Sequence, residues 1–303
     1  MGTAQNPVRY LRSATNVDIG DTGVMTLRDE LVEVSAVPTH SLYSSDGILY
    51  GVQNGQLCTL DTAFFATPLV PLTNNKRVSY AKAANGAVIY TNGTDIGYLQ
   101  AGAAFDIPVP ESTEEVTPTE EGIQTFKVPL PPGDFVESFN SSIYVAARDP
   151  DSDNCLIVYT DPYTLHCDET ENFLYMRGYP TLLSATDDTL WFSNGIDLFA
   201  WVGTGDDERR ELVVAGYAAV PGTAVVCEAT DLGVEGISGK AVVVTTALGV
   251  CILSNGGQMV NLSRSVFAVP LASGGAGAII QSRGYTRYVA SLTDTSPPHN
   301  QFS

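Results

Sequence analysis

Three potential metal ligands, the carboxylates of Asp149, Asp151 and Asp153, occur at alternate positions in the chain. Alternating carboxylates open the calcium loop of an EF-hand, which also needs Gly at its sixth position and a bidentate Glu at its twelfth. Those two positions hold Asn154 and Thr160. The segment is therefore interpreted as a polar hairpin tip, and calcium binding by the three aspartates stays open.

Histidine and cysteine side chains could ligate zinc or provide nucleophilic catalysis. The histidines are His40, His166 and His299, and His166 is followed by Cys167. Zinc requires four ligands at recognisable spacing, and a hydrolytic triad requires a nucleophile and a base that meet in space. Neither arrangement can be assembled here, even with Cys155. The sequence therefore predicts no catalytic residue, no cofactor site and no metal site.

Glycoside hydrolases use two carboxylates, and this acidic chain offers many. Spacing does not single out a pair among Asp134, Glu137, Glu228 and Asp231. The Ser-x-Asp-x-Gly-x-Thr-Trp box of sialidases is missing, and Ser184–Trp191 is its nearest, out-of-register approach. WD-repeat and kelch signatures are missing too, so no motif marks a site that cleaves glycans.

The glycine-rich segment Ser273–Gly277 could cradle a phosphate. It lacks the Lys-Ser/Thr of a phosphate loop, and it leads into a strand-like run instead of a helix. A flexible loop is the predicted structure of this segment.

A hairpin pattern recurs along the chain and must position all these residues. In its clearest copy, Asn194-Gly195 separates two runs rich in aromatic and aliphatic residues. A dipeptide that tolerates positive φ at both positions predicts a two-residue hairpin turn. Six copies have first turns at 46, 85, 140, 187, 238 and 283. Successive first turns are 39, 55, 47, 51 and 45 residues apart. These distances bracket the period of about 40 to 50 residues that four-stranded propeller blades have.

Each repeat is predicted to contain four strands, which we number outward from the propeller axis. The fourth repeat is predicted to contain Pro180–Ala185, Thr189–Ser193, Asp197–Val202 and Arg210–Ala215. The fifth is predicted to contain Thr223–Ala229, Lys240–Thr245, Gly249–Leu253 and Gln258–Leu262. Repeats one to three begin at Pro38, Val78 and Gly133. Aromatic residues recur at the same place in successive repeats, which favours packing between blades over a role in stacking on sugars. These residues are Tyr50, Tyr90, Tyr144, Trp191 and Phe192.

The sixth repeat has only two strands, Ala278–Gln281 and Tyr285–Leu292, before a tail rich in Pro, Ser and Thr. The N-terminal runs Ala14–Ile19 and Val24–Val34 form a hairpin without a blade. Propellers commonly close by completing one terminal blade with the other terminus, which removes an open sheet edge. The prediction is an all-β, six-bladed β-propeller of residues 1–294, its last blade completed by the N-terminal hairpin, with a flexible tail at 295–303. Five blades and a separate terminal module are the alternative.

Two segments interrupt the repeat. Residues 107–133 contain six prolines and several glutamates, and this density of proline predicts an extended surface insertion. Residues 161–172 form a long acidic connection within the third blade. In a propeller, loops between blades and loops between second and third strands share a face. The insertion and the Asp149–Asn154 turn are therefore predicted to share a face, which is the first candidate for partner contact.

Composition limits the class of protein. Hydrophobic residues make up 44% of the 303 residues and charged residues 16%, which indicates a globular chain, and the net charge is −19. A surface this negative repels phosphate backbones, so binding of nucleic acid is not expected. No signal peptide or membrane span is predicted, and five cysteines without a C-x-x-C pair are expected to be reduced core thiols: Cys58, Cys155, Cys167, Cys227 and Cys251.

The N-terminal segment Leu11–Gly23, followed by Thr39–Tyr43 and the first Asp-Gly hairpin, resembles a group of tailed-bacteriophage virion proteins. Their N-termini read Asn-Val-Asp-Ile-x-x-x-Gly followed by a basic segment, and propeller-like repeats come after it. The likeness covers about the first sixty residues and continues only as a repeat plan. This chain departs from the pattern at Val24–Glu30, where the basic segment would lie.

The resemblance implies a non-enzymatic structural protein of the tail, hub or baseplate. Such a protein is folded in the host cytoplasm and built into the virion, in several copies, by contacts with other virion proteins. Specific nucleic-acid binding and membrane insertion are not expected. A carbohydrate-binding or glycoside-cleaving propeller that acts on cell-surface glycan is the first alternative, and a cytosolic interaction scaffold is the second.

Overall fold

The structure is a computed structural model. It describes residues 35–110, 127–149, 151–168, 171–203, 210–234, 236–263, 269–282 and 285–296, and the strands Val17–Ile19 and Met25–Leu27. The chain divides into two compact units, Met1–Val37 and Pro38–Ser303. In the first unit, Val17–Ile19 (β1) pairs antiparallel with Met25–Leu27 (β2). The predicted N-terminal hairpin is therefore present, and the remainder of its predicted ranges, like most of the segment that carries the phage resemblance, lies outside the described residues.

The second unit contains a series of four-stranded antiparallel sheets, each in the order of the chain or its reverse. Sheet 1 comprises Thr39–Ser45 (β3), Ile48–Gln53 (β4), Gln56–Leu60 (β5) and Ala66–Pro71 (β6). Sheet 2 comprises Ser79–Lys82 (β7), Val88–Thr91 (β8), Ile96–Gln100 (β9) and Ala103–Phe105 (β10). After the short strand Lys127–Pro129 (β11), sheet 3 begins with Phe135–Phe139 (β12), Ser142–Arg148 (β13) and Asn154–Tyr159 (β14). The strand His166–Asp168 (β15) then precedes its outermost strand, Phe173–Arg177 (β16).

The later sheets follow the same plan. Sheet 4 comprises Leu182–Ala185 (β17), Thr189–Ser193 (β18), Leu198–Val202 (β19) and Arg210–Ala215 (β20). Sheet 5 comprises Val225–Glu228 (β21), Lys240–Thr246 (β22), Gly249–Ser254 (β23) and Gln258–Asn261 (β24). A short helix, Ala229–Leu232 (α1), lies between β21 and β22, and a 3₁₀ turn, Asn255–Gly257, precedes β24. Gly274–Ser282 (β25) and Tyr285–Thr293 (β26) form a final two-stranded hairpin. The predicted all-β series of four-stranded meanders is confirmed.

Of two predicted two-residue turns, one has the predicted length and the other is longer. Asn54-Gly55 is a two-residue turn with both residues at positive φ, as predicted. The prediction of a two-residue turn at Asn194-Gly195 is wrong, because four residues separate β18 from β19. The side-chain oxygen of Asn194 accepts the N–H groups of Ile196 at 3.0 Å and Asp197 at 2.8 Å. This side-chain turn replaces the backbone turn, and Asn92 does the same in sheet 2.

The glycine-rich segment Ser273–Gly277 is not the flexible loop that was predicted. Four of its residues belong to β25. The backbone N–H of Gly275 donates to the carbonyl oxygen of Pro221 at 2.9 Å, and a Cβ atom on Gly277 would overlap the carbonyl oxygen of Thr223. Glycine therefore lets this strand approach the backbone that leads into sheet 5, a role that turn propensity does not reveal.

Buried apolar clusters join the sheets in consecutive pairs. Tyr50 and Tyr90 lie in the cluster between sheets 1 and 2, Tyr144 and Phe192 in that between sheets 3 and 4, and Trp191 in that between sheets 4 and 5. A further cluster joins sheets 2 and 3. The recurring aromatic residues therefore pack between blades, as predicted.

The β25–β26 hairpin packs on sheet 5 through Ile279 and Tyr288. Its other face carries Ile280 and Val289, whose exposed fractions are 47% and 40%. On sheet 1, Leu42 lies beside Gly51 on the face opposite Tyr50 and is 52% exposed. Among the described residues, no apolar cluster joins the hairpin to sheet 1.

The two predicted interruptions contact each other. Strand β11, at the end of the proline-rich insertion, pairs with β15, which lies in the connection 161–172. Lys127 forms an ion pair with Asp161 at 2.7 Å, and the buried Leu130 donates its N–H to the carbonyl oxygen of Leu165. The described part of the insertion joins no four-stranded sheet, as proline content indicated. Residues 111–126 lie outside the described part, and the predicted face shared with the Asp149–Asn154 turn stays a prediction.

Candidate functional site in the central cavity

A cavity of about 970 Å³ is lined by β3, β7, β12, β17, β21 and β25 and by the residues just before them. These are the strands that come first in the six repeats. The first strand of each repeat was predicted to be the one next to the propeller axis, and these first strands line one space. We call this space the central cavity. Its walls are largely apolar, and β25 contributes only glycine and alanine residues, from Gly275 to Ala278.

Glu137, in the middle of β12, is the carboxylate of the cavity wall. Its Oε1 accepts the N–H of Ser138 at 2.9 Å, and its Oε2 accepts the N–H of Ala185 at 3.3 Å, so the carboxyl group links sheets 3 and 4. Burial raises the pKa of Glu137 to about 7, although these hydrogen bonds, the Lys240 ammonium and the Ser184 hydroxyl oppose the rise. The side chain keeps partial exposure to the cavity. At neutral pH it is therefore present in both protonated and ionised forms.

Arg77, two residues before β7, is the guanidinium of the cavity wall. Its Cζ lies 4.9 Å from the centroid of the Phe135 ring, and the group also lies beside Gly222 on the approach to β21. The side chain is accessible to solvent, yet desolvation lowers the pKa of the guanidinium, and the nearby Asp134 carboxylate opposes that shift. Both observations fit a cation that contacts water inside a concave wall. Among the described residues it has no hydrogen-bond acceptor.

His40 and Ser79 of the wall have polar partners, whereas the buried Tyr80 hydroxyl has none among the described residues. The Nδ1 of His40 lies 2.8 Å from the Ser41 hydroxyl and its Nε2 lies 3.1 Å from the Asn75 side-chain oxygen. The Ser79 hydroxyl accepts the N–H of Val136 at 3.1 Å. Arg77 therefore differs from His40 and Ser79, and it is the charged group of the wall without a hydrogen-bond acceptor among the described residues.

Of the four carboxylates proposed from the sequence, only Glu137 lines the cavity. The Asp134 carboxylate lies against the Asn92-Gly93 turn, and Glu228 and Asp231 are exposed around α1. Within the described cavity wall no second carboxylate faces Glu137. The arrangement that two-carboxylate glycoside hydrolysis requires is not assembled there.

The Asp149–Asn154 segment connects β13 and β14, as a hairpin tip does. The Oδ2 of Asp149 accepts the hydroxyls of Ser152 at 2.7 Å and Tyr175 at 2.6 Å, and these bonds lower the pKa of Asp149. Asp153 accepts the hydroxyl of Tyr179 at 2.6 Å. Protein donors thus occupy oxygens that calcium would need. No group of three metal-ligating side chains with suitable geometry occurs in the described ranges.

The five cysteines are free thiols, and all but Cys227 are buried. Burial raises the pKa of Cys155 to about 12, which makes that thiol a poor nucleophile at neutral pH. His166 and Cys167 are neighbours on β15, and His299 lies outside the described residues. In the described part of the chain, His166 and the cysteines belong to no group of three side chains that could hold a metal ion.

Comparisons with known proteins give likeness in three dimensions only. No protein-family model and no curated protein sequence matches the chain. A gluconolactonase from Xanthomonas campestris is 12% identical over 86% of this chain and 84% of its own, with a TM-score of 0.47. The Pan2 WD40 domain of Neurospora crassa is 10% identical over 88% and 77%, with a TM-score of 0.48, and the Dos1 propeller is 10% identical over 86% and 76%, with a TM-score of 0.38. Likeness at this level does not indicate what this chain does.

None of the described helices is long and apolar enough to cross a membrane.

Proposed function

We propose that this chain is a structural component of a bacteriophage virion, in the tail, tail hub or baseplate, and that it acts through contacts with other virion proteins. In this proposal it is a six-bladed β-propeller whose last blade is completed by the N-terminal hairpin. The virion assignment rests on the resemblance at Leu11–Gly23. The mode of action rests on exposed apolar surface.

Two observations support closure by the N-terminal hairpin. The β25–β26 sheet has two strands where each of the preceding five has four, and β1–β2 is an antiparallel hairpin. The apolar side chains Ile280 and Val289 on β25–β26, and Leu42 on sheet 1, are exposed. In the described part of the chain, β26 pairs with β25 alone. Pairing β1–β2 with the other edge of β26 would extend the sixth sheet to the size of the others and satisfy backbone groups along that edge.

The observation that carries the contact role is the position of the most exposed hydrophobic side chains. Tyr163 is 78% exposed and Val109 is 76% exposed. Tyr163 lies in the connection 161–172, and Val109 lies in the proline-rich insertion that contacts this connection through β11. Contiguous exposed apolar patches are typical of protein-contact surfaces, and in this proposal Val109 and Tyr163 contribute to such a patch. The two interruptions are therefore a candidate surface for a virion partner.

Mass spectrometry of purified phage particles tests the assignment. The chain should copurify with the particles in several copies, and its absence from intact particles would remove the proposal. A Val109→Ser, Tyr163→Ser variant should fold normally and be incorporated less than the natural chain. The matched variant Phe65→Ser changes a side chain that is 75% exposed just before β6, outside this surface, and should leave incorporation unchanged.

A carbohydrate-binding role is the second candidate, because the cavity wall combines aromatic and apolar residues with Glu137. Glycan-array binding that is lost in Glu137→Gln would favour it. Cleavage of glycan is the less supported form, since no second carboxylate of the described wall faces Glu137.

A further inference from the structure

We infer that the central cavity is a binding site for a small acidic ligand whose carboxylate is held by Arg77. The inference does not depend on the virion assignment. It concerns one chemical class, a carboxylate on a compact framework. A free organic acid and an acidic sugar are the two sources of that chemistry.

The Arg77 guanidinium has no hydrogen-bond acceptor among the described residues. A guanidinium has five N–H donors in a fork that matches the two oxygens of a carboxylate. The Cζ of this group lies 4.9 Å from the centroid of the Phe135 ring, a contact that gives its N–H groups no hydrogen-bond acceptor. In the described part of the chain no hydrogen-bond acceptor reaches them, and the Asp134 carboxylate is directed toward the Gly93 turn. Because Arg77 is exposed within a concave wall, a ligand carboxylate can replace water at these N–H groups with charge-assisted hydrogen bonds.

A comparison within the chain shows what is special about this position. Arg148 also lies over an aromatic ring, with its Cζ 3.6 Å from the centroid of Tyr179. Arg148 lies outside the central cavity, at the end of β13, and its pairing with Tyr179 faces solvent. The two arginines therefore share the ring contact and differ in their access to the cavity.

The size and walls of the cavity define the ligand. A volume of about 970 Å³ lies within the range of small-molecule sites, which are largely apolar and carry a few placed polar groups. Arg77 and Glu137 both line this cavity, and their strands β7 and β12 are joined by the hydrogen bond between Ser79 and Val136. A ligand held by Arg77 is therefore inferred to contact the wall that carries Glu137.

Isothermal titration calorimetry on the full-length chain tests the inference. The probes are glutarate with glutaramide as its uncharged counterpart, and glucuronate with glucose. At least one acid should bind, at least tenfold more tightly than its uncharged counterpart. Binding of glutarate alone assigns the site to free organic acids, and binding of glucuronate alone assigns it to acidic sugars. Failure of both acids to bind at about 10 mM, or equal binding of acid and counterpart, would overturn the inference.

Variants locate the site. Arg77→Met keeps an unbranched side chain over Phe135 and should weaken binding of the acid at least tenfold, because the charge-assisted pair is lost. Arg148→Met is the matched control and should bind as the natural chain does. If Arg77→Met does not fold, Arg77→Lys retains the charge without the fork and should still bind the acid more weakly. Unchanged affinity in a folded Arg77 variant, or equal loss in Arg148→Met, would contradict the assignment.

Discussion

Replacing Glu137 by Gln should change how the stability of the protein depends on pH. Burial raises the pKa of Glu137 from 4.5 to about 7, so the folded chain holds a proton that the unfolded chain has released between these two values. Stability therefore falls as pH rises through this window, by about 1.4 kcal/mol per pH unit and about 3 kcal/mol in all. Gln cannot ionise and lacks this loss.

The free energy of unfolding, measured with urea at pH 4 to pH 8, gives the comparison. The difference between Glu137→Gln and the natural chain should shift by about 3 kcal/mol in favour of the variant between the two ends of the series. A constant offset is expected in addition, because an amide nitrogen cannot accept the N–H that Ala185 donates to the carboxylate. Glu228→Gln, which changes an exposed glutamate of β21, is the control and should show no such trend. A difference that does not vary with pH, or that favours the natural chain at high pH, would refute the reasoning.

Three further outcomes are expected. In urea titrations, Gly277→Ala should lower the free energy of unfolding by about 1 to 3 kcal/mol, because the added Cβ overlaps the backbone at Thr223. The control Gly216→Ala should change the free energy of unfolding by about 0.5 kcal/mol or less, because its Cβ meets only one atom, at 3.8 Å. Calcium added to chelator-treated protein should leave the melting temperature unchanged, because protein donors already occupy Asp149, and a saturable rise would contradict this. Alkylation followed by mass spectrometry should modify the half-buried Cys227 before Cys155, whose thiol is buried and has a raised pKa, and the reverse order would be inconsistent with the structure.

The strands were predictable where turn residues bracket apolar runs. In sheet 4, Thr189–Ser193 and Arg210–Ala215 agree with the predicted bounds, and the other strands of sheets 4 and 5 differ by no more than three residues at either end. The glycine-rich start of β25 was not predictable, because its conformation depends on the backbone around Thr223 and not on its own turn propensity. Long-range packing overrides local preference there.

The cavity site was predictable only in part. Glu137 was one of four candidate carboxylates, and nothing in its spacing distinguishes it from the exposed Glu228. Arg77 carried no sequence signal, because its role depends on the first strands of different repeats surrounding one space. The only available clue is its place immediately before the first strand of the second repeat.

Hydrogen exchange at β26 tests the proposed closure of the ring most directly. In an antiparallel sheet, alternate N–H groups of β26 bond to β25, and the others face the opposite edge. Peptides covering residues 286–293 are compared in the full-length chain and in a variant that lacks residues 1–34. If the N-terminal hairpin completes the sixth blade, the outward-facing amides exchange slowly in the full-length chain and rapidly in the variant. Equally rapid exchange in both would contradict the account.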